Sequence, residues 1–161
     1  MNVKDYNKSV ELYADSVYRF ILKNIKNEDK ARDVVQESFE KLWRNVNNVN
    51  ALKVKSYLYT TAYRTMIDLI RREKRQVDFD TIDAGDYSHS EQYSDLQEQL
   101  HQALDRLSEI QRSVVLLRDY EGYSYKEIAD ITNLSESQVK VYIYRARKHM
   151  KEYIGSMEVF V

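Results

Sequence analysis

The chain has 161 residues, enough for one mid-sized domain or two small ones. Its 25 Lys and Arg against 26 Asp and Glu give a net charge of −1, which excludes a uniformly basic, histone-like binder but leaves room for charges segregated along the chain. The absence of cysteine excludes disulfides, thiolate zinc sites and a cysteine nucleophile, and no proline with only three glycines leaves too few turn residues for a sandwich or barrel, so the composition points to helices.

From the N-terminus, Tyr6, Val10, Tyr13, Val17, Phe20 and Ile21 recur at three- and four-residue intervals and predict a first amphipathic helix. A second follows, with Ala31, Val34, Val35, Ser38, Phe39, Leu42, Trp43 and Val46 on its apolar face. On the opposite face Asp33, Gln36, Glu37 and Glu40 stand at i, i+3, i+4 and i+7, a polar stripe that by itself reads as solvated surface. The Asn-rich stretch Asn47, Asn48, Val49, Asn50 reads as a loop. A third helix carries Leu58, Ala62, Thr65, Met66 and Leu69 on its core face. Between Lys53 and Arg75 it holds seven bases against two acids. Tyr57, Tyr59 and Tyr63 are interleaved with Arg64, Arg71 and Arg72, and some of these rings are needed for the core.

Gln76 to Ser94 has no helical period and contains five acids with no Lys or Arg. A structureless run of that length separates two domains more readily than it interrupts one. Its acids are either a solvated tether or a shield for the basic helices.

The apolar pattern restarts at Leu96 with Leu100, Ala103, Leu104 and Leu107. Three capping boxes then mark helix starts: Ser108 with Gln111, Ser124 with Glu127, and Ser135 with Gln138. The short helix Tyr125 to Thr132 buries Ile128 and Ala129, and Asn133-Leu134-Ser135 makes a tight turn. The next helix buries Val139, Ile143, Ala146 and Met150. A short helix, a three-residue turn and a longer helix with a polar outer face form a helix-turn-helix. That outer face carries Ser137, Gln138, Lys140, Tyr142, Arg145 and Lys148, residue types that meet base edges and phosphates.

The stretch from Leu104 to Lys140, containing L-S-E-I-Q-R-S-V-V-L-L-R-D-Y-E-G-Y-S-Y-K-E-I-A-D-I-T-N-L-S, resembles region four of bacterial sigma factors of the extracytoplasmic-function type. Asp33-Val34-Val35-Gln36-Glu37-Ser38-Phe39-Glu40-Lys41-Leu42-Trp43, and Ser56-Tyr57-Leu58-Tyr59 through Ile67-Asp68-Leu69-Ile70-Arg71-Arg72, resemble region two. The resemblance implies an all-α protein of two small helical domains, residues 1–75 and 96–161, joined by a flexible acidic linker, 76–95. It implies no enzymatic activity and no cofactor, and as partners core RNA polymerase, promoter DNA and an anti-sigma factor. Asp33, Gln36, Glu37 and Glu40 then correspond to the polymerase contact. Asn47, Asn48, Asn50, Tyr63, Arg64, Arg71 and Arg72 correspond to the minus-10 contacts, and Ser137, Gln138, Lys140, Tyr142, Arg145 and Lys148 to the minus-35 contacts. Three departures stand out. Ala62-Tyr63-Arg64 replaces the usual Ala-Arg-Asn, Leu107-Ser108 replaces Leu-Pro, and Tyr142 stands at a commonly basic position.

Two other functions share part of this pattern. A LuxR-like regulator shares the helix-turn-helix but needs a receiver or ligand domain upstream, and residues 1–95 show no βα alternation. A hydrolase needs converging catalytic groups. His89, His101 and His149 are scattered, and the metal-binding and phosphate-loop motifs are missing. Met1 to Val10 lacks a secretory apolar run and no segment approaches eighteen apolar residues, so a cytoplasmic protein without membrane insertion or a bound metal is expected.

Overall fold

The computed structural model describes residues 1–77 and 95–158. All regular elements among them are helical. The chain divides into two compact units, Met1–Tyr87 and Ser88–Val161. Of the expected tether, residues 78–94 lie outside the described residues. Gln76 and Val77 continue a helix.

The first unit packs α1 (Val3–Ile25), α2 (Glu28–Arg44) and α3 (Val54–Val77) against one another. Asn2 opens α1 with a capping box. The Asp5 N–H donates to Asn2 Oδ1 at 2.8 Å and the Asn2 N–H to Asp5 Oδ2 at 3.3 Å. The helix stops where Lys26 takes a left-handed conformation, φ 59°, and gives its N–H to the Leu22 carbonyl at 2.8 Å. Asn27 then caps α2 through Lys30 N–H at 3.0 Å, so the corner takes two residues. A single turn of 3-10 helix, Ala51–Lys53, precedes α3.

The core holds Val17, Phe20, Ile21, Ala31, Val34, Leu42, Leu58, Tyr59, Ala62 and Met66, with the Phe20 and Tyr59 rings 5.7 Å apart. Its buried polar groups are satisfied locally. The Ser38 hydroxyl donates to the Val34 carbonyl at 2.7 Å and the Asn24 amide to the Phe20 carbonyl at 2.9 Å. Two apolar-face assignments need correction. Trp43 is 47% exposed, because it sits about 100° round the helix from Leu42, and Leu69 is only half-buried although it lines up with Leu58, since it stands towards the carboxyl-terminal end of α3.

The second unit contains α4 (Asp95–Asp105), α5 (Glu109–Val115), α6 (Tyr125–Thr132) and α7 (Glu136–Glu158). α7 packs against each of the other three. All three capping boxes form, with Gln111, Glu127 and Gln138 N–H groups donating to their serine hydroxyls at 3.3, 3.1 and 3.1 Å. After α5 the chain widens into a π-helical turn, Leu116–Tyr120. Gly122, at φ +75°, lets the chain reverse there, and Tyr123 returns its N–H to the Leu117 carbonyl at 3.0 Å. Arg147 of α7 grips Asp119 of this turn through Nε at 3.1 Å and Nη2 at 2.5 Å. That hydrogen bond holds the guanidinium above its ordinary range. Asn133, at φ 60°, makes the helix-turn-helix corner, and the Leu134 N–H closes on the Ala129 carbonyl at 3.1 Å.

Ser124→Ala removes the hydroxyl that caps α6 while leaving the core intact, so unfolding should be easier by about 1 kcal/mol. Urea denaturation of the full chain checks this. The midpoint of the second unit's transition should fall with its slope unchanged.

Candidate protein and nucleic-acid interfaces

On α2, Asp33, Gln36, Glu37 and Glu40 are all exposed, opposite buried Ala31, Val34 and Leu42. Their ion pairs are peripheral: Glu37 to Lys41 at 3.4 Å and Glu40 to Arg44 at 3.8 Å, all half-exposed and worth a few tenths of a kcal/mol each. The stripe therefore keeps its carboxylates available to a basic partner. Trp43 extends it by one turn. Its ring meets Tyr6 edge-on at 5.0 Å, and the Tyr6 hydroxyl donates to the Phe39 carbonyl at 3.3 Å. Burial, with Glu40 nearby, raises the Tyr6 pKa and keeps that donor protonated. The periodicity had placed this tryptophan in the core, so its position beside the acids was missed.

Asn47, Asn48 and Asn50 are exposed in the loop between α2 and α3. Asn50 is partly committed, since its Oδ1 accepts the Leu52 N–H at 3.0 Å. Two further bonds steady the loop, from the Met1 ammonium to the carbonyls of Val46 at 3.0 Å and Val49 at 3.2 Å. Leu52 projects beside it, 92% exposed. On α3, Arg64, Arg71 and Arg72 face outward. Tyr63 does not. At 8% exposure its ring fills the face that Leu58 and Ala62 leave open, and a buried ring cannot stack on a base. Tyr59 is fully buried for the same reason. Tyr57 is half-buried, its hydroxyl donating to the Lys41 carbonyl at 3.4 Å.

On α7, Ser137, Gln138, Lys140, Arg145 and Lys148 are exposed, whereas Tyr142 is half-buried. The buried line Val139, Ile143, Ala146 fixes the opposite direction, which runs through Ser137, Val141, Tyr144 and Lys148 at i, i+4, i+7 and i+11. Val141 is 44% and Tyr144 67% exposed. Neither stands in the polar outer-face set, because that set was drawn from polar and charged residue types and Tyr142 alone. Counting the helical angle from Val139 alone would have found them. Gln138 faces outward but its Oε1 accepts the Ser135 N–H at 3.0 Å, leaving the amide Nε2 as its uncommitted donor end in the capping box. Lys140 leans over the Tyr125 ring at 5.5 Å from its centre, where Arg118 also sits at 4.5 Å.

Among the described residues no cluster of His, Asp and Glu is arranged to hold a metal, and no helix is long and apolar enough to cross a membrane. His101 and His149 lie in the second unit, and His89 lies outside the described residues.

Comparison with known proteins matches residues 10–76 to Sigma-70 region 2 and residues 97–150 to Sigma-70 region 4. RNA polymerase sigma factor SigV of Bacillus subtilis (strain 168) is 37% identical over 137 residues, spanning 83% of this chain and 81% of that protein. ECF RNA polymerase sigma factor SigM of the same strain is 28% identical over 146 residues, spanning 88% and 90%. Among solved structures, the sigma factor RpoE of Bartonella quintana, crystallised with the anti-sigma factor NepR, superposes with a TM-score of 0.80. Its identity is 27%, over 95% of this chain and 98% of that one.

Proposed function

The chain belongs to the extracytoplasmic-function sigma factors of the sigma-70 family, alternative sigma factors that direct transcription initiation, and we propose a division of labour between its two units. Residues 1–75 hold core RNA polymerase through Asp33, Gln36, Glu37 and Glu40, and meet the minus-10 element through the Asn47–Asn50 loop and Arg64, Arg71 and Arg72. Residues 96–161 read the minus-35 element with α7. The segment between Val77 and Asp95 joins the two. An anti-sigma factor is the partner that holds the chain inactive, by analogy with the NepR-bound relative, and the site of action is the cytoplasm.

The observation that carries this reading is the placement of charge. The acidic stripe of α2 and the basic outer face of α7 lie on the solvent sides of two separately built cores, within the segments that match regions two and four. The region-two match occupies residues 10–76, where a LuxR-like regulator would need a receiver, so that rival is not favoured.

Lys148, at the far end of the exposed stripe, is assigned to phosphate. Lys148→Ala should weaken all minus-35 duplexes alike and lower the log–log salt slope by about one. Fluorescence anisotropy on randomised duplexes at two salt concentrations checks this, and a changed sequence preference would move Lys148 to the base-reading group.

A further inference from the structure

Between α2 and α3 runs an open polar groove lined by Lys41, Arg71, Arg72 and Arg75, with the carboxylates of Glu37 and Asp68. Lys41 stands on the helix assigned to polymerase, and its ammonium lies between Glu37 of that stripe, 3.4 Å away, and the wall of α3. Its Nζ donates to Thr65 Oγ1 of α3 at 3.1 Å, and Thr65 is itself only 4% exposed. The residue's backbone is held as well, because its carbonyl accepts from the Asn45 amide at 3.0 Å and from the Tyr57 hydroxyl at 3.4 Å. The ammonium is thus fixed over the wall of α3, with its side chain still 37% exposed. The arginines share the same wall. Arg72 and Arg75 each donate Nε to a carbonyl one turn back, Asp68 and Arg71, both at 3.4 Å. That bond uses one donor and leaves the remaining guanidinium N–H groups for other acceptors.

Four cations against two carboxylates in one groove repel one another, and an anion with several acceptor oxygens relieves that repulsion. The groove is partly open to solvent and lined by charged and polar side chains, which suits a polyanion better than an apolar small molecule. We propose that it takes a phosphodiester of the single-stranded minus-10 DNA, and that Lys41 is a DNA ligand although it stands on the polymerase-facing helix. The proposal rests on the reading of α3 as the promoter helix. It adds to that helix a contact from α2, which the charge count over Lys53 to Arg75 did not include.

The test uses holoenzyme reconstituted from bacterial core RNA polymerase and the full chain. The probe is a fluorescein-labelled fork-junction DNA with a single-stranded minus-10 segment, titrated at several salt concentrations. Lys41→Gln should lower the log–log salt slope by about 0.7, the value for one phosphate of a single strand, and weaken binding about fivefold at the lower salt. Lys41→Arg should restore the slope. Affinity for core polymerase should stay within about twofold of wild type. An unchanged slope for Lys41→Gln overturns the proposal, and reduced core affinity with an unchanged slope makes Lys41 only the ion-pair partner of Glu37. Arg71→Gln, measured in parallel, separates the two levels. If Arg71→Gln weakens binding and Lys41→Gln does not, only the groove contact fails. If both are silent, the promoter-helix reading fails with it.

Discussion

Asp33→Lys combined with Glu37→Lys should weaken binding to core RNA polymerase by about a hundredfold or more. The expectation follows from the geometry of α2. Both carboxylates are exposed on the face opposite Val34 and Leu42, so reversing them removes no packing. The largest folding cost is the new repulsion between position 37 and Lys41, which at one helical turn is a few tenths of a kcal/mol. At an interface the same reversal sets like charges against a basic partner, a penalty of several kcal/mol. Glu11→Lys with Asp15→Lys on α1 is the control, since both residues are exposed and the net charge changes equally. Competition for core polymerase against a labelled wild-type chain gives the readout. The α2 double variant should fail to compete and the α1 control should compete normally. Equal competition by both would mean that the stripe is solvated surface.

The second large effect concerns Gln138. Its side chain caps α7 through Oε1, so Gln138→Ala removes a cap as well as a base contact and confounds the two. Gln138→Glu keeps the cap, because a carboxylate accepts the Ser135 N–H equally well and suits the first turn of a helix. It removes the Nε2 donors and turns a negative charge toward DNA. Minus-35 binding should therefore fall at least about tenfold while the unfolding midpoint holds or rises. On randomised duplexes, loss of the amide should also relax preference at one or two base pairs, each worth roughly 1–3 kcal/mol of discrimination. The amino end of this helix leads into the major groove in proteins of this motif, which is why Gln138 is set to read bases and Lys148 phosphate. If Gln138→Glu binds DNA as wild type does, α7 is docked in another way, and the Val141–Tyr144 stretch becomes the place to look for base contacts.

Where local chemistry decides, the sequence was legible. Serine followed three residues later by Gln or Glu marks a helix start whatever the tertiary context. The starts of α5, α6 and α7 at Glu109, Tyr125 and Glu136 fell where the caps put them. The acidic stripe of α2 was equally legible, since four polar residues at one helical spacing cannot all face a core. What escaped was the division of large amphipathic residues between core and surface. Tyr59 and Tyr63 are buried while Trp43 and Tyr144 are exposed. A ring suits either side, and the choice depends on the volume left by neighbours such as Leu58 and Ala62. The π-helical turn at Leu116–Tyr120 carried no local signal either. It ends at Tyr120, two residues before Gly122, and is tied by Arg147 to Asp119, a contact 28 residues away in sequence. The groove that holds Lys41 has the same origin, because it exists only once α2 lies against α3.

The central claim, that this chain selects promoters for polymerase through these surfaces, is tested most directly by run-off transcription on a randomised promoter library. Core RNA polymerase is supplied with no added chain, with the wild-type chain, or with the Asp33→Lys, Glu37→Lys variant. The wild-type chain should produce start sites absent from core polymerase alone, sharing one sequence block near minus 35 and another near minus 10, and the variant should produce none of them. The same start sites with and without the wild-type chain would contradict the account.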